Sequence, residues 1–144
     1  MAKKSKKANE LGKLIKSIWI FNWFNSCGFA ELIPMVGSRW DMERFGIIIT
    51  GTPRHADCLF IAGYQTLKSI KRAQKIYEQM PDPKVVIALG ACTMTGGMYW
   101  DSYNTIKRLE DYLPVNMYIP GCPPRPEAVF HAVHQIMVHV KEMK

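Results

Sequence analysis

At 144 residues, 48% of them apolar, the chain is long enough for one domain with a real core. No apolar run approaches the roughly 18 residues needed to cross a bilayer, and no apolar stretch runs into a small-residue cleavage site, so neither a membrane span nor a secretory signal is expected. The net charge of +7 is concentrated at one end: residues 1–16 carry Lys3, Lys4, Lys6, Lys7, Lys13 and Lys16 against the single acid Glu10, and the rest is close to balance.

The basic tail suits an anionic partner, either nucleic acid or a membrane surface. Leu11, Leu14, Ile15, Ile18, Trp19, Phe21, Trp23 and Phe24 follow it, and this Trp-rich apolar stretch favours a membrane surface or a protein partner. Residues 1–24 are therefore read as a basic amphipathic N-terminal segment and residues 25–144 as the main domain, with no nucleic-acid role. The plain alternative is a solvated tail leading into a core helix.

Further along, residues 25–45 read as loop and short helix, broken by Gly28, Pro34 and Gly37. Ile47 to Thr50 form a short β-branched run that Gly51-Thr52-Pro53 ends. A second apolar run, Asp57 to Ala62, closes on Gly63. Residues 65–79 carry Leu67, Ile70, Ala73, Ile76 and Tyr77 at helical spacing, and Pro81 and Pro83 stop that helix. Lys84 to Gly90 read as a third buried strand, 102–112 as a helix, and Val115 to Ile119 as a fourth strand. A last amphipathic helix runs from Glu127 to about Val140. Strands without polar alternation, separated by helices, predict an α/β fold: a mostly parallel four-stranded sheet with helices on both faces.

Three of the four cysteines stand beside glycine or proline: Cys27 before Gly28, Cys92 after Gly90-Ala91, and Cys122 inside Pro120-Gly121-Cys122-Pro123-Pro124. Cys92 and Cys122 directly follow predicted strands, at the sheet edge where functional crevices of parallel sheets lie. A single such cysteine is usually a small buried hydrophobe, but three of them predict a soft-metal site, with an iron–sulfur cluster as the expectation. Cys58, near the start of its strand, is assigned to the core. Spacings of 31, 34 and 30 residues give no compact disulfide framework, and the absence of a CxxC pair argues against a zinc ribbon. A reduced, intracellular setting is expected. His55, His131, His134 and His139 are assigned no role.

Pro120 to Glu127, Gly90-Ala91-Cys92 with Gly96-Gly97-Met98-Tyr99, and Pro53-Arg54-His55-Ala56-Asp57 with Ala62-Gly63 together resemble the 20 kDa iron–sulfur subunit of respiratory complex I. That subunit is itself similar to the small subunit of nickel–iron hydrogenases. The resemblance covers about residues 20–135 and implies a flavodoxin-like fold with a [4Fe-4S] cluster held by Cys27, Cys92 and Cys122. It implies an electron-transfer role with three kinds of partner: a large catalytic subunit of complex I or hydrogenase type, a ferredoxin-like iron–sulfur subunit, and membrane-arm subunits. It also implies a peripheral position on the cytoplasmic side of the membrane.

Two departures refine this. The complex I motif Cys-Cys-x-x-Glu is matched by Cys27 and Glu31, but Gly28 stands where the second cysteine belongs. The hydrogenase motif would place cysteines at Asn25 and Gly28. A chain that departs from both patterns resembles the subunits of archaeal membrane-bound hydrogenase and sulfane sulfur reductase complexes. The fourth cluster ligand is left open between a water, Glu31 and a three-iron cluster. Glu31 is also a candidate proton-relay residue, and Arg54 a cation that would raise the potential of a neighbouring cluster. Two competing classes are a flavin- or nucleotide-binding module, against which stands the lack of a Gly-rich phosphate loop, and a thiol enzyme using one of the three turn cysteines. Within the resemblance, a hydrogenase small subunit and a quinone-reducing complex I subunit are the alternatives to a ferredoxin-linked sulfane sulfur reductase.

Overall fold

The computed structural model describes residues 17–142. Five strands, β1 (Ile18–Phe24), β2 (Ile47–Thr50), β3 (Cys58–Ala62), β4 (Val85–Leu89) and β5 (Met117–Ile119), pair in the order β2-β1-β3-β4-β5. Every pairing is parallel, and this order is that of the doubly wound flavodoxin-like fold. The helices are α1 (Cys27–Val36), α2 (Leu67–Gln79), the short α3 (Ala91–Thr95) and α4 (Pro126–Glu142).

Both faces of the sheet are covered. On one, Ile20, Phe60, Ile87 and Leu89 pack with Leu32 and Met35 of α1 and with Val129 and Val133 of α4. On the other, Leu59, Ile61, Val86 and Ala88 pack with Ile70 and Ala73 of α2 and with Ile106, Leu109 and Leu113. Successive residues of β3 thus enter opposite cores and all five are buried, so its sequence shows no polar alternation.

Two expectations change here. Ile18–Phe24, read as the apolar half of an N-terminal segment, forms β1, an inner strand between β2 and β3. The sheet therefore has five strands, and its β-branched and aromatic residues suit a pleated surface. Residues 1–16 lie outside the described residues. Second, 102–112 is not a helix. It is an extended connection with a single 3₁₀ turn at Leu109–Asp111, and Ile106 and Leu109 along it are buried.

A buried amide ties the crossover together. Gln65, 1% exposed, accepts at Oε1 from Trp23 Nε1 of β1 at 3.1 Å and from Ser69 Oγ at 2.9 Å. Its Nε2 donates to the Ala62 carbonyl at 3.4 Å. Beside it, Thr66 and Ser69 cap α2 reciprocally: Ser69 N donates to Thr66 Oγ1 at 3.1 Å, and Thr66 N to Ser69 Oγ at 2.8 Å. Replacing Gln65 by Leu strips acceptors from Trp23 and Ser69 and should cost about 1–3 kcal/mol. Chemical denaturation should show this as a lowered midpoint with an unchanged slope.

Candidate metal centre

The parallel register sets one row of residues across four strands: Phe24 pairs with Ala62, Ala62 with Leu89, and Leu89 with Ile119. These are the last residues of β1, β3, β4 and β5. Cys27, Cys92 and Cys122 each stand three positions beyond that row, after Phe24, Leu89 and Ile119 respectively. The loops leaving the row are stitched by backbone bonds. Gly90 N donates to the Ile119 carbonyl at 2.9 Å, and Ala91 N to the Gly121 carbonyl at 2.8 Å. On the other side Asn25 N reaches the Ala62 carbonyl at 3.4 Å, while Asn25 Nδ2 donates to the Tyr64 carbonyl at 2.5 Å.

The result is a cavity of about 40 Å³ that all three cysteines line. Cys27 is the first residue of α1, Cys92 lies in α3, and Cys122 is in the loop after β5. Cys27 and Cys122 are exposed and Cys92 is half-buried. Gly28, Gly63, Gly90 and Gly121 supply bare backbone, Tyr64, Met98 and Tyr99 supply apolar walls, and no charged side chain among the described residues lines the cavity. Gly97 closes over Cys92: a Cβ there would come within 3.0 Å of Cys92 Sγ and 3.1 Å of its nitrogen. Ser26, just before Cys27, has φ 44 and ψ −120, a backbone conformation costing a non-glycine residue of the order of 1–3 kcal/mol.

Soft thiol donors on two helix starts and a loop, with glycine at the closest approaches, fit an iron–sulfur cluster. Among the described residues no three His, Cys, Asp or Glu side chains converge as ligands of a single ion. The thiols instead surround a shared space.

Gly28 lines the cavity through its backbone only. An added Cβ would stand 2.5 Å from Ala62 Cβ and 2.8 Å from the Ala62 carbonyl carbon. The position that carries the second cysteine in the complex I motif is here pressed against the end of β3. Glu31 follows Cys27 by one turn of α1. Arg54 lies in the 3₁₀ turn before β3 and outside the cavity lining. Cys58 opens β3, 4% exposed, four residues and roughly 13 Å from the row at its far end. Sequence reasoning gave no role to Tyr64 or Tyr99. For Tyr64 the available signal was its place directly after Gly63 on the same carboxyl edge.

A family model described as NADH ubiquinone oxidoreductase, 20 Kd subunit, matches residues 26–136. The chain belongs to that family. Among its relatives, NAD(P)H-quinone oxidoreductase subunit K 1 of Gloeobacter violaceus is 48% identical over 120 residues, 83% of this chain and 52% of the relative. The chloroplastic NAD(P)H-quinone oxidoreductase subunit K of Draba nemorosa is 46% identical over 123 residues, 85% of this chain and 55% of the relative. The chain thus spans about half the length of the curated relatives it matches. Among solved structures, a chain of the membrane-bound sulfane sulfur reductase, an archaeal respiratory membrane complex, superposes with a TM-score of 0.88 at 43% identity, covering 94% of this chain and 77% of that one. A chain of an NAD+-reducing [NiFe]-hydrogenase superposes with a TM-score of 0.65 at 15% identity, covering 85% and 92%, which shows a shared fold. The relatives are subunits of multi-subunit oxidoreductases, and the family is one associated with metal clusters. No helix among the described residues is long and apolar enough to cross a membrane.

Two outcomes test this geometry. Gly28→Ala or Gly28→Cys overpacks the end of β3 and should cost about 1–3 kcal/mol, read as a lowered denaturation midpoint even without metal. Burial, and secondarily the neighbouring Asp57 carboxylate, pushes the Cys58 thiol far above its usual range. The unfolded chain therefore gives up this proton first, at about pH 8.5, so the contribution to stability is complete below that pH and lost as pH rises. From there the loss should run at about 1.4 kcal/mol per pH unit until the folded thiol ionises. Stability measured from about pH 7 to about pH 10 should fall more steeply for the wild type than for Cys58→Ala.

Proposed function

We propose that this chain is the electron-transfer subunit of a membrane-bound respiratory complex, holding a [4Fe-4S] cluster on Cys27, Cys92 and Cys122. The observation that carries the reading is the placement of three thiols at one offset beyond one row of the sheet, around one cavity. Bound there, the cluster supplies one-electron transfer. The chain's own residues hold it and present it to partners. Cys27 opens the ten-residue α1, whose N-terminal partial positive charge favours an anionic group. With Gly28 in place of a second cysteine, the fourth ligand is a group other than cysteine: a water or Glu31 on a four-iron cluster, or none on a three-iron one. Glu31 is kept as a proton-relay candidate.

The rim of the cavity supports a protein cover. Met98 of the cavity wall and Trp100, next to Tyr99, are exposed by 77% and 62%, and exposed apolar side chains of this kind mark an interaction surface. The partners proposed are a large catalytic subunit of complex I or hydrogenase type over this rim, a ferredoxin-like subunit as electron donor, and membrane-arm subunits near the N-terminus. Likeness to the sulfane sulfur reductase chain favours a ferredoxin-linked complex reducing sulfane sulfur. The NAD(P)H-quinone oxidoreductase relatives support the second reading, a quinone-reducing complex. The subunit sits peripherally, on the cytoplasmic side.

Isolated complex should be brown, with visible absorbance and iron lost on chelation. Cys92→Ser and Cys122→Ser should lose the iron while Cys58→Ala retains it. Equal iron loss in Cys58→Ala would falsify the assignment of the three ligands. A flavin in the preparation without iron would favour the binding-module class.

With Ile18–Phe24 in the sheet, a membrane-arm anchor falls to the lysine-rich residues 1–16. Each lysine near an anionic surface is worth about 1 kcal/mol. Deleting 1–16 should weaken attachment to the membrane arm, with the largest difference from the full chain at low salt, where the lysine charges are least screened. Normal assembly of the truncated chain, together with salt-sensitive DNA binding by the full chain, would remove the anchor role.

A further inference from the structure

The thiol cavity has one wall that none of the cluster ligands accounts for. Tyr64 leaves the row after β3, and Tyr99 lies on the connection that follows α3. Their rings meet at 4.6 Å between centroids with a 49° tilt, and both line the cavity. The connection is strapped down on both sides of this contact. Tyr99 N donates to the Gly96 carbonyl at 3.0 Å, and the Tyr99 carbonyl accepts from Ser102 N at 3.1 Å and Thr105 Oγ1 at 2.9 Å. Beyond it, Leu67 N donates to the Asn104 carbonyl at 3.0 Å, Ile106 N donates to the Gln65 carbonyl at 2.8 Å, and Thr66 bridges Thr105. Buried Gln65 thus fixes the segment that carries Tyr64 and, through its carbonyl, the strap that carries Tyr99.

We infer that Tyr64 and Tyr99 are positioning residues forming a water-excluding wall that sets the reduction potential and iron retention of the group held by Cys27, Cys92 and Cys122. This rests on the cluster reading above. Solvent exposure is one of the controls on cluster potential. A reduced cluster carries more negative charge than an oxidised one, and water stabilises the more charged form. Removing an aromatic wall therefore raises the potential and opens a path for chelators to iron. The ring performs this role and the hydroxyl is not needed for it.

The test uses the assembled complex carrying Tyr99→Ala, Tyr99→Phe, Tyr64→Ala or Tyr103→Ala, the last removing a ring from the same strap outside the cavity lining. Redox titration followed by electron paramagnetic resonance gives the potential, and an iron chelator gives the rate of metal loss. Tyr99→Ala and Tyr64→Ala should both raise the potential and lose iron severalfold faster, while Tyr99→Phe and Tyr103→Ala match the wild type. If Tyr99→Ala fails to assemble, Tyr64→Ala opens the same wall from the β3 side and decides the matter. Potentials and rates in the alanine variants equal to those of Tyr103→Ala would overturn the wall. A wild-type complex without iron would overturn the cluster reading as well, so the two failures are distinguishable.

Discussion

Parallel pairing in a fixed register is the constraint from which the rest follows. Because every strand runs the same way, the ends of β1, β3, β4 and β5 fall on one edge, and the register brings their last residues level. Backbone polar groups beyond that row must be satisfied by neighbouring loops, and here they bond to one another: Gly90 to Ile119, Ala91 to Gly121, Asn25 to Ala62. The same bonds that complete the hydrogen-bonding of the sheet edge hold three thiols around one space. Burial of both faces supplies the energy for this arrangement, and the carboxyl edge supplies the chemistry.

The polar residues near that edge are few, and they are used structurally. Gln65 is buried and bonded to Trp23, Ser69 and Ala62. Asn25 leaves its Oδ1 buried without a partner while its Nδ2 holds the Tyr64 carbonyl. The described walls of the cavity are thiols, glycine backbone, aromatic rings and apolar side chains.

Much of this was legible in the sequence. β2 to β5, α2 and α4 follow from β-branched runs, glycine and proline stops, and helical spacing. The family resemblance rested on motifs whose cysteines stand on one edge, and the family match bears it out. β1 was hidden because only Ser17, with no glycine or proline, separates Lys16 from Ile18, so an apolar strand merged with the amphipathic stretch before it. The segment 102–112, read as a helix, instead buries Ile106 and Leu109 from a connection that is extended apart from one 3₁₀ turn and is tied to α2. The absence of a cysteine at 28 was visible; the reason, an approach of Ala62 too close for any Cβ, needed three dimensions.

The common offset of the three cysteines has a consequence for how the chain can vary in length. Each residue of extended chain covers about 3.3 Å. One insertion between a strand end and its cysteine would swing that thiol off the shared space and break the loop-to-loop bonds. The connections entering β2 and β4 at the opposite edge, 37–46 and 80–84, carry no such restriction. Related chains should therefore differ in length at the amino end of the strands and keep the carboxyl loops residue for residue, whatever their side chains become.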